Sequence, residues 1–370
     1  MQFVNSTRML AGYTLGLRPD GRESLVVVVK GTFGIPEQSG GRLQLHEQQV
    51  PLVTSDVFHG EPGSSAPKYE VDFAPSKQRC DVLMNGTAYA PHIEPAERCT
   101  VGIRIGKWQK TFSVVGDRYW FATGGLRATP PQPFVTKPIS YDRAFGGVDL
   151  RHEDAAQHDA FAANPSGRGF HRHLVAQWLD GSPLPNTEQT GAVVTSPDGQ
   201  YQPMAFGSLG RQWVPRIGYA GTYDAAWQEN VFPFLPADFD PLFYQAAPAD
   251  QQMTLPREDL TVSLLNLTPE GRCDFVWPHF EMPIQVLPKN GPPESLLARP
   301  DTILIEPDDR RVIVTWRVAR PLRQNLFEIA EVVVGRTGSQ WWQRPEQVAV
   351  PMPPLVDPSE RQFLARTERN

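Results

Sequence analysis

The residues of this chain whose types could do chemistry are its eight histidines, a few close carboxylates and one pair of adjacent tryptophans. His171 and His173 flank Arg172, and on an extended segment residues i and i+2 point to one face. With His152 or His158 they could give zinc or iron three nitrogens. His152 and His158 are six apart, however, so they cannot serve from one face of a helix, and the loop around His171 offers no rigid frame. The sequence predicts solvated or packed histidines. Asp238 and Asp240 in LPADFDPLF, and Glu306, Asp308 and Asp309 in a turn, could be read as the acid and base of glycoside hydrolysis, which needs carboxyls about 5–9 Å apart. Aspartates in proline-rich turns more often close Asx-turns or cap helices, and that is the expectation here. Of Trp341 and Trp342, one faces the core if they lie on a strand, and the other is free to stack on a sugar or a protein.

Other catalytic patterns are missing. No serine has glycine at both −2 and +2, so there is no nucleophile elbow. Gly102-Ile-Arg-Ile-Gly106-Lys107-Trp108 has the wrong spacing for a phosphate loop and reads as a hairpin. No catalytic residue, no metal ligand set and no cofactor is expected.

The elements that would position these residues are mostly strands. Leu25 to Phe33 (LVVVVKGTF) is β-branched and bounded by glycines, as in a strand covered on both faces. Val101, Ile103 and Ile105, then Trp108, Lys110, Phe112 and Val114, alternate about Gly106-Lys107 and predict a hairpin. A second hairpin joins Ile303 and Ile305 through Pro307-Asp308-Asp309-Arg310 to Val312, Val314, Trp316 and Val318. Phe327 to Val334 and Trp341 to Val350 read as a further strand pair. Helices are few: Asp224 caps AAWQEN, residues 151–163 have helical composition, and Asp357-Pro358 with Glu360 opens a tail helix. Thirty-seven prolines, twice the usual ~5%, suit short strands between rigid turns. The fold class is mainly β: antiparallel sandwich or barrel-like sheets, long Pro/Gly-rich loops and a few short helices. Residues 10–320 form the main domain, open to division into two β subdomains near residue 125. Residues 321–370 add the strand pair and the tail helix.

Thirty-five basic against 41 acidic residues give a net charge of −6, which argues against a general nucleic-acid binder. The longest aliphatic run, Leu25 to Val29, is far short of a membrane span, so no membrane insertion is expected. The N-terminal residues lack a signal-peptide pattern, and Cys80, Cys99 and Cys273 are too few and too scattered for a disulfide framework. The expected location is cytoplasmic.

Several segments are not explained by periodicity: KYEVDFAPSKQRCDVLMNGTAYAP (68–91), SYDRAFGG (140–147), NPSGRGF (164–170) and LPNTE (184–188). Others follow in order: FGSLGRQWVPRIGYAGTYDAAW (206–227), LPADFDPLFYQAAPADQQ (235–252) and DTILIEPDDRRVIVTWR (301–317). Together, over about residues 10–320, they resemble a bacterial domain-of-unknown-function family whose genes commonly lie beside type VI secretion effectors, VgrG spikes and PAAR tip proteins. Cys80 stands where the motif has Thr. The resemblance implies a non-enzymatic adaptor and chaperone that binds a cognate effector, often one with a PAAR domain, and loads it onto the spike. Its implied partners are an effector or PAAR protein, with VgrG as a further contact.

Interfaces favour aromatics and Arg over Lys, and this chain has 28 Arg to 7 Lys. Asp142, Arg143, Arg216 and Asp224 are candidates to steer a partner, or are ion pairs that pin long loops. Trp213, Trp227 and Trp341 are candidate anchors. The rival classes are a β-scaffold hydrolase using His152, His171 or His173 with Asp238 or Asp240, and a carbohydrate-binding module using Trp341 or Trp342.

Overall fold

An unbroken run such as Leu25-Val-Val-Val-Val29 forms a strand only where both faces are covered, and Glu23–Gly34 is such a strand, buried from Ser24 to Phe33. In the computed structural model, which describes residues 1–255 and 258–335, it lies in a ten-stranded mixed sheet. The order is Gln2–Asn5, Ile329–Val334, Met282–Pro288, Glu294–Glu306, Arg311–Pro321, Glu23–Gly34, Leu10–Leu17. Gln44–Leu45, Cys80–Met84 and Gln252–Met253 add to its sides. The sheet curls into a nearly closed barrel. Its first and last strands meet through Asn5 Nδ2 donating to Met9 O, and through the Phe3 and Tyr13 rings, 5.3 Å apart.

The Glu294–Glu306 strand forks this sheet. Residues 294–298 pair with Met282–Pro288, while Thr302 to Ile305, past a register shift, take Cys80–Met84 as a parallel neighbour. A five-stranded sheet runs in the order Thr187–Glu188, Trp108–Val115, Arg98–Ile105, Leu260–Leu265, Arg272–Trp277. Both hairpins expected from the sequence are present. The first turns at Gly106, whose φ of 56° suits glycine. The second turns through Arg310.

Alternation decides what fills the interior. Leu25, Val27, Val29, Val314 and Trp316 of the large sheet meet Ile103, Phe112, Val262 and Phe275 of the smaller one in a single core. Both sheets draw strands from either side of residue 125. The Pro/Gly-rich middle of the chain is packed as well, around Trp120, Phe145, Phe170, Leu179 and Leu184.

The other face of the large sheet carries Val26, Val28, Lys30, Ile313, Thr315 and Arg317. Loops lie across it: Leu52, Phe73 and Pro75 approach the glycines of Leu10–Leu17 so closely that a Cβ at Gly16 would lie 2.9 Å from Pro75 Cβ.

Some expectations change. Residues 151–163 form no helix, only one turn at Ala155–Gln157 and a two-residue strand, Asp159–Ala160. Side chains compete with the helical ladder there: Asp154 accepts from Ala156 N–H, and the His158 ring bonds His152 O. The AAWQEN helix is present as Ala225–Asn230. Ile329–Val334 is the expected strand, paired with Met282–Pro288 and Gln2–Asn5. Its expected partner from Trp341 to Val350, and the tail helix from Asp357, lie outside the described residues. The three cysteines are free and buried. Among the described residues no helix is long and apolar enough to cross a membrane.

Candidate functional site

Lys30 sits in the doubly covered strand, and a buried ammonium without a counter-charge costs several kcal/mol. Its Nζ donates to Asp72 at 2.7 Å and to Pro51 O at 3.0 Å. Asp72 also accepts from Val53 N–H. Arg317, on the same face as Lys30, donates to Asp72 O and to the Asp301 carboxylate. Thr302 links Asp301 to Lys77, which pairs with Asp81 at 2.7 Å and Glu70 at 3.8 Å. Glu70 takes Arg216 and Arg211, and Arg211 takes Asp56. Lys30, Lys77, Arg211, Arg216 and Arg317 thus face Asp56, Glu70, Asp72, Asp81 and Asp301, five charges of each sign.

The matching shows in proton affinity. Burial pushes the Asp56 carboxyl up, but hydrogen bonds from Arg211 and Val71 N–H outweigh it and hold the group below the usual range. Burial disfavours the charged Arg317 guanidinium, and Asp301 and Asp72 reverse that. The segment KYEVDFAPSKQRCD supplies Glu70, Asp72, Lys77 and Asp81, so this motif straps the loops onto the sheet.

An open cleft of about 490 Å³ lies where Lys68 of the strap meets five other stretches, at residues 59, 85–87, 138–143, 168 and 306–309. The single turn Tyr141–Arg143 forms one wall. Asp142 Oδ1 accepts from Ala66 N–H at 2.7 Å, and Arg168 Nε donates to Asp142 O at 3.0 Å. The wall is held by buried Asn164, which donates to Tyr141 O and Phe145 O. Gly146 is obligatory there: its φ is +146°, and a Cβ would come within 2.1 Å of Asn164 O. The facing wall is the Pro307–Arg310 turn and its flanks. Glu306 accepts from Tyr69 Oη and Arg311, and Asp308 from Thr87 and Tyr89. Burial, then the Asp308 contact, pushes the Tyr89 phenol up to about 12.

The cleft's two signs of charge are treated differently. Asp142, Glu306, Asp308 and Asp309 each accept a hydrogen bond or ion pair. Lys68, Arg143 and Arg168 also line it, and none has a carboxylate within ion-pairing distance among the described residues. Among the described residues the Arg143 side chain donates only to the Asn186 amide oxygen, at 3.3 Å.

A third feature is aromatic. Asp224 caps the Ala225–Asn230 helix by accepting from Trp227 N–H, and Trp227 Nε1 donates to Phe234 O. The Trp227 ring meets Tyr223 at 4.7 Å and Phe232 at 5.6 Å. Trp227 itself is half-buried, yet Tyr223, Phe232 and Phe234 are 52%, 66% and 45% exposed. Arg216, earlier in the same segment, donates to Leu209 O, Phe243 O and Glu70.

The structure therefore separates the residues singled out by sequence. Asp142 and Arg143 meet in the cleft, and Asp224 and Trp227 in the aromatic tract. Arg216 and Trp213 are buried: Arg216 pins a loop, and Trp213 packs edge-on against Tyr141 at 5.6 Å. Trp341 and Trp342 lie outside the described residues. Lys68 and Arg168 of the cleft, and most of the buried network, were not singled out.

The carboxylates of LPADFDPLF do what turn chemistry expects. Asp238 accepts from Thr222 N–H and Oγ1, and Asp240 from Leu242 N–H. His152 and His173 stand 5.2 Å apart, ring to ring, but His173 Nε2 bonds Gln157 O and His152 Nδ1 accepts from Asp154 N–H. Burial and Arg151 push the His171 imidazole below its ordinary value. Among the described residues no group of three His, Cys, Asp or Glu is placed to hold a metal ion.

The model of DUF2169, described as an uncharacterized protein conserved in bacteria, matches residues 20–317. The chain belongs to this family. The match spans the strap, the cleft and the aromatic tract. No curated protein and no solved structure matches it.

Proposed function

We propose that this DUF2169 chain is a non-enzymatic adaptor and chaperone that binds a cognate type VI secretion effector, often one carrying a PAAR domain, and loads it onto the VgrG spike. The secretion role rests on the resemblance carried by the segments from 68–91 to 301–317. The observation that supports protein binding is the aromatic tract. Three large rings stand out in solvent around Trp227, on and beside a short capped helix. Exposed apolar surface held in a fixed shape marks interaction sites, and Tyr, Trp and Phe are the side chains interfaces favour. The adaptor would cover apolar effector surface until docking.

Co-expression with the effector encoded beside the gene tests this reading. A soluble complex is expected with the wild-type chain, an insoluble effector without it, and loss of the complex with Tyr223→Ser/Phe232→Ser. An effector that stays soluble and is secreted normally without the adaptor contradicts it.

A further inference from the structure

We propose that the cleft is a carboxylate-binding site that receives an acidic side chain from an extended segment of the protein partner, between Arg143, Arg168 and Lys68. That the carboxylate belongs to a protein rests on the adaptor reading; the site itself rests on geometry. The cleft holds cations that make no direct ion pair among the described residues, beside carboxylates that already have donors. Arg168 uses Nε on a backbone carbonyl, and Arg143 spends one long bond on an amide. Each guanidinium presents a fork with further donors, the geometry that pairs with carboxylate in two parallel hydrogen bonds. Lys68 makes no ion pair among the described residues, and its Nζ lies 5.3 Å from the centre of the Tyr69 ring.

Burial, then the neighbouring Arg143 charge, pulls the Arg168 guanidinium below its usual proton affinity, although Asp117 and Asp142 act the other way. An anion between the two arginines adds to that opposing pull. Phosphate polymers fit poorly, because Asp142, Glu306, Asp308 and Asp309 in the same cleft would repel a repeated negative charge. A polypeptide suits both signs: one acidic side chain meets the arginines, and its backbone N–H groups or a basic neighbour meet the carboxylate wall. The cleft's openness and volume of about 490 Å³ admit an extended segment.

The test uses the full-length chain and the peptide acetyl-Gly-Ser-Glu-Ser-Gly-amide, with its single carboxylate, followed by calorimetry and by arginine Nε–Hε resonances. The matching Gln peptide and inorganic phosphate are the comparison probes. Saturable binding of the acidic peptide alone is expected, with shifted Arg143 and Arg168 resonances. Arg143→Gln/Arg168→Gln should weaken it at least about tenfold, the effect of ~1.4 kcal/mol. Lys68→Gln, a change at a side chain with no hydrogen bond among the described residues, should weaken it about threefold and guards against misfolding of the double variant. Equal binding of the neutral peptide, phosphate binding as tight as the peptide's, or unchanged affinity in both variants would overturn the site. Partner capture separates the two readings: a double variant that still captures the effector sinks the cleft alone, whereas a wild-type chain that captures none sinks the adaptor.

Discussion

Lys68 and Glu70 are two residues apart on one strap, and they belong to regions with opposite habits. From Glu70 inward, every charge is answered: five cations and five carboxylates interlock beneath the loops. At Lys68 the strap reaches the cleft, where carboxylates are satisfied and cations are left over. The difference is desolvation. Between sheet and loops an unmatched ion would cost several kcal/mol, so the sequence supplies partners in equal number. In the open cleft the cations keep partial contact with water, so direct ion pairs are not required and the cations remain available to a ligand.

The sharpest way to break this contrast is substitution on each side of it. Asp72→Ala strands Lys30 in the interior and should cost about 3–5 kcal/mol in urea unfolding. Replacing both partners, Lys30→Met/Asp72→Leu, should recover much of that loss, since no buried charge is then left alone.

Acid comes next. Burial pushes the Asp149 carboxyl up, but N–H groups of His173, Arg151 and Arg172 outweigh it, so its folded pKa lies below the unfolded one, as does that of Asp56. Such groups stabilise the fold fully above about pH 4 and lose that contribution as pH falls through the lower folded value. His171 acts in the same direction at milder pH: held neutral when folded, it subtracts stability as pH drops below about 6.5. Urea midpoints should therefore fall from pH 7 to pH 5, and again below pH 4. A midpoint flat across this range would remove the buried-charge account.

Asp224→Ala removes the helix cap under the aromatic tract, at an expected cost of about 1 kcal/mol, read as faster amide exchange in residues 225–230. The smallest effect should come from the cleft. Arg143→Gln has no ion pair to lose and should change stability by less than about 0.5 kcal/mol. A large loss there would mean that the arginine is structural, like Arg216.

The β scaffold was legible because alternation writes it directly. Val101, Ile103 and Ile105, or Val312, Val314 and Trp316, show their face in the sequence. The fork at Glu294–Glu306 was not, since pairing with Cys80–Met84 joins residues more than 200 positions apart. The buried network left a sign that went unread: a strand covered on both faces has no room for a lone ammonium, so Lys30 in LVVVVKGTF already requires a carboxylate, and Arg317 in VIVTWRV likewise. Which carboxylates answer depends on the fold: Asp72 of the strap for Lys30, and Asp301 of the neighbouring strand for Arg317. Asp142 and Arg143 are consecutive residues that line one cleft, and Arg168 joins them through the Phe145–Arg168 pairing, which no local pattern shows. The helix expected at 151–163 failed because propensity says nothing of side chains such as Asp154 and His158 that capture backbone groups.

The most direct test of the adaptor account is to recover the tagged protein from cells assembling the secretion apparatus and identify by mass spectrometry what travels with it. The account predicts a type VI effector or PAAR protein in near-equal amount, lost when Tyr223 and Phe232 are replaced by serine. A protein that returns alone from those cells, or that keeps its partner without those rings, would contradict it.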